Sequence, residues 1–178
     1  MKATHLNAIN RYDEYRKTAR NLAREDLPDY LKKVTKLERV DQKALVAFKT
    51  WQGVPERTVN WDWNFATVYC RRYPKAFDLS VWYGNTLCSL TLGRPTYKGT
   101  SMRMDFIEKS PINCPISGDV FSISLLAYEN YGRLIGAEYL RLIEPMSDKL
   151  IKYYTSVDVG FSYRKAKQGN PHYLVKKL

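Results

Sequence analysis

The sequence predicts a single α/β domain of the α+β kind: a helical first third, then a central mixed sheet with antiparallel N-terminal strands and a C-terminal βαβαβ portion. Three observations carry this. Over roughly the first 54 residues the apolar positions recur every three or four residues, the period of a helix. Between residues 77 and 108, three strand-like runs follow one another with short, turn-rich connections, which suits an antiparallel meander. From residue 120 onward helical and strand-like runs alternate. At 178 residues, 44% hydrophobic and 26% charged, the chain is long enough and apolar enough to bury a core of its own.

Residues 9–25 carry Tyr12, Tyr15, Ala19 and Leu22 at helical spacing. The stretch DLPDYLKKVTKLERV continues that spacing with Leu31, Val34 and Leu37, and Asp29 just past Pro28 suits the opening of a helix. DQKALVAFKTWQGV predicts another short helix, stopped at Gly53 and Pro55. The meander begins with a strand at 77–83, turns at YGNT, and continues through 86–93. RPTYKGTS then separates this pair from a third strand at 102–108. In GDVFSISLLAYENYGRLIGA, Val120, Ile123, Leu126, Ala127, Tyr131 and Leu134 share one helical face, and Gly136 closes the helix. EYLRLIEP reads as a buried strand ended by Pro145. SDKLIKYYTSV opens on a cap-like Ser147 and runs as a helix through Tyr154, and PHYLVKKL is a closing strand.

The net charge of +11 is the unusual bulk property. Basic residues concentrate at YLKKVTK, CRRYPK and YRKAKQGNPHYLVKKL, and such a field attracts a phosphorylated cofactor, a nucleic acid or an acidic protein. Solvated basic faces that merely keep the protein in solution explain scattered charge equally well. No apolar run approaches the roughly 20 residues that span a bilayer, and the polar N-terminus lacks a signal-peptide core. Cys70, Cys88 and Cys114 are odd in number and lack metal-ligand spacing, while His5 and His172 are too isolated for a metal site. A cytoplasmic protein with reduced thiols and no membrane attachment is expected.

A strand that feeds a glycine-containing loop and then a helix makes an anion site. The first amides of the helix lack internal partners, and glycine lets a phosphate approach the backbone. Here the loop runs through Ile116, Ser117, Gly118, Asp119 and Val120, with Ser117 or Asp119 as the helix cap. A lone glycine is weak evidence, since neither GxGxxG nor GxxxxGK[ST] is present.

From about residue 77 to the C-terminus, some 100 residues, the chain resembles the GNAT superfamily of acetyl-CoA-dependent N-acetyltransferases. MDFIEKSP is similar to the central strand along which that family lays the pantetheine arm. PISGDVFSISLL is similar to the Q/R-x-x-G-x-G/A loop-helix that holds the cofactor pyrophosphate, although of that signature only Gly118 is kept. GAEYLRLIEPMSDKLIKYYTSVDVGF resembles the next strand and helix, with a tyrosine ahead of Gly160 and Phe161.

What the resemblance implies is a GNAT-like acyl-CoA N-acyltransferase fold in one domain, 1–178, mainly helical up to residue 70 and with its cofactor-binding core from 77 onward. Acetyl-CoA, or another acyl-CoA, would be held by Ile107, Glu108, Lys109, Ile116, Ser117, Gly118, Asp119, Val120 and Ser147. Transfer to an amine needs a base, a polarised carbonyl and a proton donor for the departing thiolate. Glu108 is the expected base and Asp105 the second choice, against the plainer reading of Glu108 as an ion-pair partner. Tyr154 is the expected acid and Tyr153 its competitor, since a phenol of pKa about 10 is protonated at neutral pH. A backbone amide near Ile107 or Lys109 would polarise the carbonyl. Trp82 reads as core packing, whereas NWDWNF could line an acceptor pocket or stack on a base. The charge suggests an acceptor on an acidic macromolecule, aminoacylated tRNA or protein, and the helical first third is left to shape the acceptor side or a homodimer contact. The competing expectation is a non-catalytic basic module on the same fold that binds nucleic acid or a partner protein.

Overall fold

The computed structural model describes residues 2–112, 114–157, 159–167, 169 and 171–178, with side chains from Asn7 onward. The first helix, α1 (Lys2–Glu25), starts earlier than the spacing predicts. Its buried positions are Tyr12, Ala19, Arg20 and Ala23, while Leu22 points to solvent. Small residues let α1 lie close against a later helix, and Arg20 reaches through to Asp78 with an Nη2–Oδ1 contact of 3.0 Å.

The continuous helix expected through Leu37 is corrected by the structure. Helix α2 (Asp29–Lys32) is a single turn, and the chain then extends as strand β1 (Thr35–Glu38). Thr35 and Leu37 pair opposite Tyr83 and Val81, so the apolar residues taken for a helical stripe meet a sheet edge instead. Helix α3 (Gln42–Phe48) is opened by Asp41, whose Oδ1 accepts from the Ala44 amide at 3.0 Å. A 3-10 turn (Lys49–Trp51) follows and the chain reverses at Gly53, φ 76°. Helix α4 (Phe65–Arg72) was not expected, because NWDWNF shows no period before it.

The meander forms where predicted, as β2 (Phe77–Tyr83), β3 (Thr86–Pro95) and β4 (Ser101–Lys109). Tyr83 pairs with Thr86 across a two-residue turn in which Gly84 has φ 56°, a left-handed conformation that favours glycine. Helix α5 (Val120–Leu134), strand β5 (Tyr139–Ile143), helix α6 (Asp148–Tyr154) and strand β7 (Tyr173–Lys177) also follow the pattern. Strand β6 (Ser162–Arg164) was missed, three residues being too few to show alternation.

The seven strands lie in the order β1-β2-β3-β4-β5-β7-β6, all antiparallel except β4 and β5, which α5 joins by a crossover. Helices α1, α5 and α6 supply side chains to a core on one face, where Phe77 stacks on Tyr131 at 4.6 Å. The other face is covered by α3, the 3-10 turn and α4 over Phe48, Trp51, Trp63, Trp82, Leu90 and Leu92. Trp82 thus packs in the core, its Nε1 donating to Ser80 Oγ at 2.9 Å.

Two irregularities of β4 shape the functional region. Leu92 pairs with Phe106 but Gly93 pairs with Met104, so Asp105 is an inserted residue, a β-bulge. The insertion inverts the alternation: Met102, Met104 and Ile107 join the α5-side core, whereas Phe106 joins the other. Gly93 is required here, since a Cβ would lie 1.9 Å from the Arg103 carbonyl oxygen. The second irregularity is that the parallel ladder stops at Met104 opposite Leu142, while β4 continues to Lys109 still paired with β3. Beyond Met104 the β5-facing edge of β4 has no strand beside it among the described residues.

Candidate functional site

The separation of β4 from β5 opens a cleft of about 900 Å³. Ile107, Glu108 and Lys109 line one wall, Ser117, Gly118 and Val120 the turn at its end, and Tyr153 and Tyr154 of α6 the opposite side. With Asp105, which also lines it, nine of the residues expected from sequence are therefore gathered here. Three are not on its surface. Ile116 is 4% exposed and anchors the turn in the core, Asp119 stands at the helix start, and Ser147 caps α6 by accepting the Leu150 amide at 3.3 Å.

An unpaired strand edge presents alternate N–H and C=O groups to the cleft, a ladder without a partner. Any linear amide-bearing group laid along it could complete the ladder. At the turn, the expected set of amides is corrected. Ser117 N–H donates to Cys114 O at 3.1 Å, and the Asp119 and Val120 amides both donate to Ile116 O, at 2.9 and 3.1 Å. These bonds close the turn. The amides of Gly118, Phe121 and Ser122 make no hydrogen bond among the described residues, so the free donors lie at Gly118 and in the first turn of α5. Neither Ser117 nor Asp119 caps the helix: Asp119 makes no capping bond, and Ser117 Oγ accepts from Lys109 Nζ at 2.7 Å. That contact brings an ammonium beside the free amides, and both favour an anion.

Glu108 is held more tightly than a proton acceptor needs. It is 4% exposed, with Arg57 Nε 2.6 Å from Oε1, and Arg57 Nη2 and Trp63 Nε1 at 3.1 and 2.6 Å from Oε2. Both oxygens are engaged, one by a forked guanidinium and the other also by an indole. The bond to Glu108 raises the Arg57 pKa. Asp105 is likewise engaged, by Arg103 at 2.6 Å and by the Tyr69 hydroxyl at 2.5 Å. Burial, with the Asp105 charge beside it, pushes the Tyr69 phenol well above its ordinary value.

Tyr154 lies under Phe121, ring centres 4.5 Å apart, and is 8% exposed. Burial pushes its phenol up to about 12, so it stays protonated, and its hydroxyl has no partner among the described residues. Tyr153 is 49% exposed beside it. The structure adds one carboxylate that the sequence did not suggest. Glu144 lines the cleft just past β5, exposed, and its carboxylate has no partner among the described residues. Its φ is 48°, left-handed for a side-chain-bearing residue that also precedes Pro145, and its N–H donates to His172 O at 3.0 Å. Strain of this kind collects at functional sites. The clamp residues Arg57 and Trp63 were also missed, because nothing in the spacing of RTVNWDW links them to residue 108.

Among the described residues, no cluster of His, Cys, Asp and Glu could hold a metal ion, and no helix is long and apolar enough to cross a membrane. No family model and no curated protein matches the sequence. Solved structures do match the fold. Ard1 from Thermoplasma volcanium superposes with a TM-score of 0.59 at 13% identity, over 82% of this chain and 98% of its own. An acetyltransferase from Streptococcus agalactiae gives 0.58 at 9% identity, over 81% and 98%. A variant of the spermidine N-acetyltransferase SpeG from Vibrio cholerae gives 0.56 at 10%, over 82% and 94%. The chain has the GNAT fold. The likeness is one of fold, recovered although hardly one residue in eight is shared.

Proposed function

We propose that the chain is an acyl-CoA-dependent N-acyltransferase that moves an acetyl or related acyl group directly to an amine. The observation that carries this is the juxtaposition of an unpaired β4 edge with free amides and an ammonium at its end. The donor set fits a CoA thioester: the strand edge matches the two amides of a pantetheine arm, and Gly118, Phe121, Ser122 and Lys109 match a diphosphate. When bound, the thioester supplies an activated acyl group. The protein's own residues do the rest. A β4 amide near Ile107 polarises the carbonyl, and Tyr154, protonated at neutral pH, donates to the departing sulfur.

The base is reassigned on geometry. Glu108, clamped by Arg57 and Trp63, fixes the loop over the cleft, while Glu144 is free to take the proton of an incoming ammonium. Trp61 and Phe106, edge to face at 5.2 Å, with Glu56 nearby, form the wall an acceptor would meet. The +11 charge favours an acceptor carried on an acidic macromolecule, aminoacylated tRNA or protein, and the free thiols of Cys70, Cys88 and Cys114 suit the cytoplasm.

The test is a calorimetric titration with acetyl-CoA. The wild-type chain should bind, and Gly118→Trp should not while remaining folded, since a Cβ at Gly118 meets no atom within 4 Å. Equal affinity in the two would remove the turn from the site. The engaged amides of Ser117, Asp119 and Val120 favour a second reading, a non-catalytic basic module that binds nucleic acid or a partner protein. Nucleic-acid binding that falls steeply with salt, together with no thermal shift from acetyl-CoA, would select it.

A further inference from the structure

A row of arginines crosses the sheet outside the cleft. Arg94 of β3 pairs in register with Arg103 of β4, and Arg103 with Arg141 of β5, so three guanidinium side chains leave neighbouring strands on one face. It is the face away from α5, because Met102, Met104, Leu140 and Leu142, which alternate with them, belong to the α5-side core. The cover of α3 and α4 stops short of this half of the sheet: among the described residues, their core takes nothing from β5 or β7. A tyrosine ring stands at each end of the row, Arg94 over Tyr73 at 4.0 Å and Arg141 over Tyr173 at 4.7 Å. Exposed Lys177 and Arg164 share the face, opposite Tyr139 and Tyr173. Like charges set side by side across strands destabilise a sheet. Among the described residues only Asp105 answers them. Its Oδ1 takes Arg103 Nη2 at 2.6 Å, Arg94 Nε stands 4.0 Å from Oδ2, and Arg141 makes no ion pair. The Nε atoms of Arg94 and Arg141 are both buried without a hydrogen-bond partner, which costs stability unless an acceptor arrives.

We propose that this sheet face binds single-stranded nucleic acid, with phosphates on the Arg94–Arg103–Arg141 row and a base against the partly exposed ring of Tyr173. Neighbouring strands lie about 4.8 Å apart, so the row spans roughly 10 Å, more than one anion fills, and a line of phosphates matches it. The planar guanidinium fork suits phosphate, and the unpartnered Nε–H groups are donors waiting for such an oxygen. The ring beside the row adds stacking that an unpaired base can use and a run of carboxylates cannot. Two residues further along their strands, Asp105 and Ile143 line the cleft, so the row borders the side where Trp61 and Phe106 form the acceptor wall. That a bound strand brings an amine to that wall rests on the acyl-CoA reading; the arginine row does not.

The experiment titrates the full chain into a fluorescent mixed-sequence oligoribonucleotide of about 12 nucleotides and follows anisotropy at several salt concentrations. Binding that weakens with salt is expected. Arg94→Gln and Arg141→Gln should each flatten the plot of log K against log salt by about 0.7, the share of one single-strand phosphate contact. Lys33→Gln removes the same charge beside β1, at the opposite edge of the sheet, and should leave that slope unchanged. On the wild-type chain, the RNA should also protect Arg94 and Arg141 from phenylglyoxal, a readout that needs no variant to fold. No binding, an unaltered slope in a folded arginine variant, an equal change in Lys33→Gln, or full labelling of both arginines in the presence of RNA overturns the proposal. Polyglutamate that displaces the RNA at equal concentration overturns it in favour of an acidic protein. A chain that binds RNA in this way but never binds acetyl-CoA refutes the acyl-CoA reading and leaves the surface standing.

Discussion

Arg57 reaches Glu108 across 51 positions of sequence, and the pair is nearly dry, with side chains 7% and 3% exposed. Arg57 also stacks over Phe48 at 4.9 Å and donates to the Trp61 carbonyl at 2.5 Å, so one guanidinium ties the loop before α4 to the sheet. Arg57→Ala would strand a buried carboxylate with only Trp63 to satisfy it, and a loss of about 3–5 kcal/mol in urea denaturation is expected. Arg57→Met combined with Glu108→Leu should recover much of that loss, because the charge that suffers is gone. If the double variant is no better than the single one, packing rather than charge holds the loop. Tyr154 gives a second residue-level outcome. Its phenol titrates at about 12 in the folded chain and near 10 when unfolded. The folded form therefore holds a proton that the unfolded form loses between those values. The associated stability is complete below pH 10 and declines as pH rises toward 12, by about 1.4 kcal/mol per unit. Tyr128 and Tyr131 are raised by burial as well, so Tyr154→Phe should shallow this alkaline slope without removing it.

At the level of elements, the meander was legible because each run alternates and each boundary carries a turn residue, as at Gly84. The bulge was not, although Gly93 stood in plain view: what makes it necessary is the Arg103 carbonyl opposite, a contact made only after β3 and β4 pair. Strand β1 escapes the spacing for a related reason: Leu31, Val34 and Leu37 satisfy a helical period, but the helix ends at Lys32 and the edge of β2 draws Leu37 into a strand. The turn into α5 could be placed from sequence, but which amides it leaves free depends on bonds to Cys114 and Ile116 that spacing does not encode. Two substitutions separate element from site. Gly93→Ala must displace backbone, so where an ordinary glycine-to-alanine change inside a strand gains roughly 0.5–1 kcal/mol, a loss of stability in urea denaturation is expected. Ser147→Ala removes the cap of α6 at a cost of about 1 kcal/mol, yet should leave acetyl-CoA affinity unchanged. A weakened affinity would return Ser147 to the binding set.

Across the whole molecule the helical first third and the sheet share their cores. Ala19, Ala23, Leu27 and Leu31 belong to the same cluster as Phe77, Leu79 and Ile123, while Phe48, Trp51 and Trp63 pack with Leu90 and Leu92 on the opposite face. Asp78 makes the link electrostatic as well. It is 6% exposed, takes Arg20 from α1 on one oxygen, and accepts the Val40 amide on the other at 2.7 Å. Burial lowers the Arg20 pKa and the Asp78 charge opposes that fall, so each group is tolerated in the core because the other is there. A front third that merely decorated the sheet would unfold apart from it. One that supplies a counter-ion and a face of each core cannot. Calorimetry should therefore give a single transition with equal calorimetric and van't Hoff enthalpies, and removing residues 1–25 should leave no cooperative transition at all. Two resolved transitions, or a truncated chain that still melts sharply, would mean that the domain is smaller than the chain and that α1 serves some contact outside it.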